Sequence, residues 1–176
     1  MRFKLRFPKS DVMKWAARFD DPQADAMIER IGARVGRRGY LTRDEFLAVC
    51  RWKSPRSQAL CALNDSITVR AVTTVALEPA TPDRYKLPSL LQLSGVGWPT
   101  ASVILHFFDA RPFPILDYRA LWSVSQAAPV RYSDDLWRKY TLFTRGLAAK
   151  IGCNMRTLDR ALWQYSKEKQ PGPRKI

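Results

Sequence analysis

Across most of this chain apolar residues recur at intervals of three and four, and only Arg2-Phe3-Lys4-Leu5-Arg6-Phe7 alternates with a period of two. A chain with that helical period nearly throughout can bury its apolar stripes only by packing helix on helix. No glycine occurs between Gly39 and Gly95, which suits helices joined by short turns. The expected fold is all-α, with the first residues as a short extended arm.

The helix signals are local ones. Ser10 is placed to cap a helix carrying Val12, Trp15, Ala16 and Phe19. Pro22 opens a second helix that runs to Gly36 and Gly39. Thr42 followed by Glu45 is a capping box for the next, which carries Phe46, Leu47, Val49 and Cys50. Ser54-Pro55 starts another helix, through Leu60 and Leu63 to Asn64. Residues 65–78 are rich in β-branched side chains, which leaves a strand open. Apolar positions 69, 72, 75 and 76 favour a helix instead. A short helix is expected at 88–93, then helices at 98–109, 116–126, 134–150 and 155–167. Tyr132, Trp137, Tyr140, Leu158, Trp163 and Tyr165 read as core, and His106 reads as a partly buried helix residue.

The length of 176 residues fits one domain or two small lobes. Residues 1–170 are read as a single domain and 171–176 as a flexible tail. No segment nears the roughly 18 apolar residues of a membrane span. The N-terminus lacks the apolar core of a signal peptide, so the expected compartment is the cytoplasm, at the nucleoid in a bacterium, without a membrane partner. Cys50, Cys61 and Cys153 lie far apart, which argues against a disulfide framework, a zinc site or an iron–sulfur cluster. Thirty Lys and Arg against 16 Asp and Glu give a net charge of +14. Such an excess suits a polyanionic partner or a solvated basic surface. Along the chain the first 60 residues are the densest in basic groups.

The stretch from Leu90 to Val124, LLQLSGVGWPTASVILHFFDARPFPILDYRALWSV, carries the most information. Gly95 and Gly97 flank Val96 just before a helix opening at Trp98-Pro99. Glycines permit unusual backbone angles and close approach, and a helix N-terminus aims free N–H groups outward as an anion site. Taken alone, the same pattern describes a tight helix–helix turn with Val96 in the core. Asp117 stands where a helix N-cap is expected.

The pattern LxGVGxxTAxxIL followed by Pro-Ile-x-Asp resembles the helix-hairpin-helix DNA glycosylase superfamily, which includes endonuclease III and the alkylpurine glycosylases. The resemblance implies a compact two-lobed domain with its hairpin at 88–109. It implies a phosphate grip at Gly95, Val96, Gly97 and Thr100, and a catalytic carboxylate at Asp117. It also implies a monovalent cation on the main-chain carbonyls of Leu91, Leu93 and Val96, with no other cofactor required. Ser94 replaces the proline usual before the first glycine. Bifunctional members carry a nucleophilic lysine 18 residues ahead of the aspartate, where this chain has Pro99. Proline has no amine to form a Schiff base, so the resemblance implies a monofunctional enzyme that leaves an abasic site.

Members of this superfamily also fill the gap left by an extruded base and hold that base against aromatic rings. The segment Arg51-Trp52-Lys53-Ser54-Pro55-Arg56 occupies the chain position of the wedge loop, with Arg51, Trp52, Lys53 and Arg56 as its contact residues. Trp98, Tyr118 and Trp122 are candidates for a base pocket, although Trp122 also reads as core. The expected partner is double-stranded DNA, bound by a monomer. A non-catalytic DNA-binding or lesion-recognition module is the alternative.

Overall fold

The computed structural model describes residues 3–19, 22–125 and 131–171. Among these the protein has ten α-helices and no strand, which is the expected all-α class. The chain divides into two compact units. A terminal unit joins Met1–Asp20 to Pro114–Ile176, and a central unit comprises Asp21–Phe113.

The terminal unit contains α1 (Val12–Ala17), α8 (Tyr118–Ser123), α9 (Asp134–Ile151) and α10 (Met155–Lys169). Helix α10 packs on α1 and α8. Val12, Leu121, Trp137, Tyr140, Leu158 and Leu162 form its buried interior. The alternating arm lies along the end of α8. Lys4 N–H donates to Val124 O and Arg6 N–H to Ser123 O, at 3.2 and 3.0 Å. The two helices after it are capped by side chains, Ser133 for α9 and Asn154 for α10.

The central unit contains α2 (Pro22–Arg38), α3 (Arg43–Lys53), α4 (Gln58–Cys61), α5 (Ser66–Leu77), α6 (Asp83–Leu90) and α7 (Trp98–Phe108). The capping box at Thr42 and Glu45 is present, and Glu45 also pairs with Arg34 and Arg38. Burial alone would raise the Glu45 pKa, but those arginines and the Thr42 N–H outweigh it and hold the carboxyl below its usual range. Residues 66–77 are helical despite their β-branched content. Asp65 caps them, and the Thr73 and Thr74 hydroxyls bond back to Val69 O and Arg70 O.

At the centre of this unit lies Lys86, fully buried. Its ammonium donates to Ala76 O at 2.9 Å and Glu78 O at 2.8 Å, at the C-terminal end of α5 where carbonyls lack a helical N–H donor. It pairs with Asp109 at 2.5 Å, just past the end of α7. Asp109 is joined in turn by Arg111, which reaches Asp83 and Thr81 O. One cation thereby ties together α5, α6 and α7.

Several element boundaries differ from expectation. Pro8 starts a 3-10 turn at Lys9–Asp11, so Ser10 caps nothing and Phe19 falls beyond α1. The helix expected from Pro55 to Asn64 breaks into a 3-10 turn, Pro55–Ser57, and the single-turn α4. The helix expected at 88–93 lies at Asp83–Leu90, with Pro88 inside it. Lys86 explains that shift, because a buried lysine interrupts the apolar pattern that would have marked the helix. Trp163, Tyr165 and Tyr132, expected in the core, are half-buried. Helix α8 is shorter than 116–126, and the tail from 172 onward lies outside the described residues.

Removing one partner of a buried ion pair strands the other charge and costs about 3–5 kcal/mol. Asp109→Asn is therefore expected to lower the denaturation midpoint sharply, with Arg34→Gln, on a half-exposed pair, costing about 1 kcal/mol or less. Urea unfolding of both variants checks the ordering.

Candidate functional site

Helices α6 and α7 lie on either side of the glycine turn where the hairpin is expected. Leu93 to Val96 make a tight turn, with Val96 N–H donating to Leu93 O at 3.1 Å and Gly95 at a φ of 75°. That left-handed conformation favours glycine, and packing adds a second reason. A Cβ on Gly95 would lie 2.7 Å from the Cys61 amide nitrogen and 2.9 Å from Leu60 Cβ. Gly95 is therefore what lets α4 dock against the turn.

Gly97 has a different character. Its φ of −97° suits any residue, and a Cβ there would meet only Pro99 Cδ, at 3.7 Å. It is exposed and stands at the N-cap of α7 without a side-chain bond. First-turn amides of a helix have no acceptor within it, and Pro99 has no N–H to contribute. Neither backbone angle nor packing restricts position 97 to glycine, which is an accepted N-cap residue, and its lack of a side chain leaves the first-turn amides open to an approaching anion. Val96 and Thr100, expected at the phosphate grip, are buried.

Asn64 holds the turn in place, a role invisible in sequence. Its Nδ2 donates to Ser94 O at 2.9 Å and to Cys61 O at 2.8 Å, while Ser94 N–H donates to its Oδ1 at 2.9 Å. Of the three carbonyls expected to bind a cation, that of Leu93 closes the turn and keeps one lone pair. The oxygen character of this set fits a monovalent ion. No group of three His, Cys, Asp or Glu that could hold a metal ion occurs among the described residues.

The segment expected to act as a wedge forms the end of α3 and the turn after it. Arg51 and Arg56 are exposed, while Trp52 and Lys53 are half-buried. The Trp52 ring meets Phe107 of α7 edge-on at 5.9 Å. Trp98, the first residue of α7, is half-buried in the same unit. His106 is spoken for, its Nδ1 lying 2.7 Å from Phe113 O. Burial first, and neighbouring Cys61 second, push the Cys50 thiol far up, which leaves it a packing residue.

Asp117, Tyr118 and Trp122 belong to the terminal unit. Asp117 is the N-cap of α8, half-buried, with Oδ1 accepting from Ala120 N–H at 2.9 Å. Two phenols sense its charge. Burial and then Asp117 raise the Tyr132 pKa. Burial raises that of Tyr140 well above its usual value, with Asp159 and Asp117 adding to it. The Tyr140 hydroxyl donates to Ile115 O at 3.4 Å. Tyr118 is exposed, and the Arg119 guanidinium lies 5.1 Å from its ring. Trp122 is half-buried, stacked on Tyr165 at 5.7 Å with Arg6 4.6 Å from its ring.

Charge is shared unevenly between the units. The terminal unit holds 18 Lys and Arg against 7 Asp and Glu, net +11, and the central unit 12 against 9, net +3. Position along the chain suggested a basic N-terminal third. Folding instead sends residues 21–60 to the nearly balanced unit.

The two hairpin glycines should respond oppositely to substitution. Gly95→Ala meets both positive φ and backbone, and should cost about 2–3 kcal/mol. Gly97→Ser supplies a better N-cap and should leave the thermal midpoint level or raised. The raised Tyr140 phenol predicts an alkaline effect as well. A folded pKa above the unfolded one contributes stability that is complete below about pH 10 and is lost as pH rises toward the folded value. Tyr140→Phe should flatten that alkaline decline in a series of melts.

No family model, no curated protein and no solved structure matches this chain.

Proposed function

We propose that this protein is a monofunctional DNA glycosylase that hydrolyses the N-glycosidic bond of a damaged base. The observation that carries the proposal is the turn as built: an exposed N-cap glycine at 97, with no side chain over the first-turn amides of a helix N-terminus. Phosphate is the anion such a terminus suits. The resemblance of residues 90–124 to the glycosylase superfamily then assigns the chemistry to Asp117.

In this reading water attacks C1′ of the deoxyribose while the bond from C1′ to the base nitrogen breaks. Positive charge develops on the sugar as the bond lengthens. The Asp117 carboxylate stabilises that charge and takes the proton of the attacking water. The base leaves with the bonding electrons and takes up a proton from solvent unless it is already cationic. The Ala120 N–H bond orients the carboxylate. Pro99 supplies no amine, so no covalent enzyme–DNA adduct forms. The carbonyls of Leu91, Leu93 and Val96 would hold a monovalent cation, which would supply positive charge to attract a phosphate.

One observation favours a second reading, a DNA-binding module without catalysis. The cap bond already gives Asp117 a structural task. The two readings part in one experiment. Duplexes carrying alkylated, deaminated or oxidised bases are incubated with the protein and scored for released base and alkali-labile sites. Catalysis predicts release by the wild type, loss of at least 100-fold in Asp117→Asn with DNA affinity kept, and no borohydride-trapped complex. Release from none of the lesions favours the module, and a trapped complex overturns the monofunctional assignment.

A further inference from the structure

The N-terminal arm and α9 leave a groove between them that the proposed chemistry does not use. It measures about 390 Å³ and is lined by residues of the terminal unit alone. Phe3 and Leu5 line it from the arm, and Leu142, Phe143 and Leu147 from α9. The Phe3 ring meets those of Phe143 and Tyr140 at 5.4 and 5.8 Å, so the two sides are already held together. Leu142 is left 69% exposed.

Gly146 lines the same groove from inside α9. Glycine weakens a helix interior, and nothing in the chain crowds this position. A Cβ at 146 would meet no atom within 4 Å. What glycine supplies here is depth, with helix backbone open to whatever enters. Lys4, Lys9 and Lys150 complete the lining, and all three are exposed. No acidic residue lines the groove. Among the described residues none of these lysines is joined to a carboxylate.

We propose that this groove binds an amphipathic anion, a linear hydrocarbon chain ending in a carboxylate. The proposal goes beyond the glycosylase reading and stands apart from it. Small-ligand sites occupy about 300–1,000 Å³ and are mostly apolar, with a few polar groups that fix orientation. The apolar lining matches the chain, and three ammonium groups without acidic neighbours match the head. From Leu142 to Lys150 the α9 side extends roughly 12 Å at 1.5 Å per residue, which suits a chain of medium length. A recess made by one missing side chain admits a narrow chain, whereas a flat surface such as a bilayer gains nothing from it.

The test is a calorimetric titration of the full-length protein with decanoate below its micelle concentration. Decanoate is expected to bind at least tenfold more tightly than hexanoate, because each buried methylene contributes about fourfold. It is expected to bind at least tenfold more tightly than decyltrimethylammonium, which has the same chain and the opposite charge. Gly146→Leu fills the recess without meeting the protein, so it should weaken decanoate binding at least tenfold while leaving the thermal midpoint level or raised. Lys4→Gln/Lys150→Gln should weaken binding about tenfold. The control Lys14→Gln/Arg138→Gln removes the same charge from exposed positions of this unit outside the groove and should leave binding unchanged. Equal affinity for the two ten-carbon chains, or undiminished binding by Gly146→Leu, overturns the proposal. So does binding of phosphatidylglycerol vesicles without binding of decanoate, which assigns this face to a membrane surface. Base release from damaged duplexes bears on none of these outcomes, so the two proposals fail separately.

Discussion

The central unit depends on one buried ammonium. A lysine with no exposed surface is tolerable only when its charge and its donors are all answered. Lys86 finds two carbonyls at the end of α5 and a carboxylate beyond the end of α7. Those partners lie at the ends of two helices and the lysine on a third, so satisfying the lysine sets their arrangement. Asp109 and the first turn of α6 sit at the ends of the hairpin arms away from the glycine turn. At the other end Asn64 and Gly95 fasten the turn to α4. The hairpin is thus held at both ends, and its exposed N-terminus of α7 is presented by a frame with little freedom to shift.

What was legible in the sequence follows from how local each signal is. The capping box of Thr42 and Glu45 and the cap at Asp117 involve residues three apart, the helix start at Pro22 a single residue, and all are present. The helix of Lys86 was misplaced because one of its three fully buried residues is charged, and the patterning rule counts a charge as surface. Asn64 was opaque for another reason. Its partner Ser94 is 30 residues away, and nothing near position 64 announces that pairing. Gly95 was legible as a glycine needed for shape, but the need turned out to include the backbone of α4 as well as the turn.

The face of α10 on which Lys167 and Arg119 lie over the Trp163 ring was hidden by an ambiguity of the helical period itself. Trp163 recurs at a spacing that marks an apolar face, and whether other apolar groups or cationic stems cover that face cannot be distinguished by spacing. Long basic side chains cover apolar surface while keeping their charge in water. A face built this way has the periodicity of core and the chemistry of surface. The same logic explains why charge density along the chain misled. The first 60 residues are the densest in basic groups along the chain, yet the fold gathers most of the excess charge into the unit that holds Asp117.

The cap formed by Asp117 bears on catalysis in a way that favours neither reading by default. A carboxylate has two oxygens and about four lone-pair sites, and the Ala120 amide occupies one of them. A group that stabilises a developing sugar cation needs a fixed direction more than it needs freedom. The amide bond supplies that direction, since α8 is itself anchored by the arm through Lys4 and Arg6. Ser123, at the last turn of the same helix, also donates to Leu162 O of α10 at 2.6 Å. A structural cap and a catalytic carboxylate are therefore compatible demands on one side chain. What separates them is whether Asn at 117, which preserves the cap acceptor while removing the charge, also preserves the function.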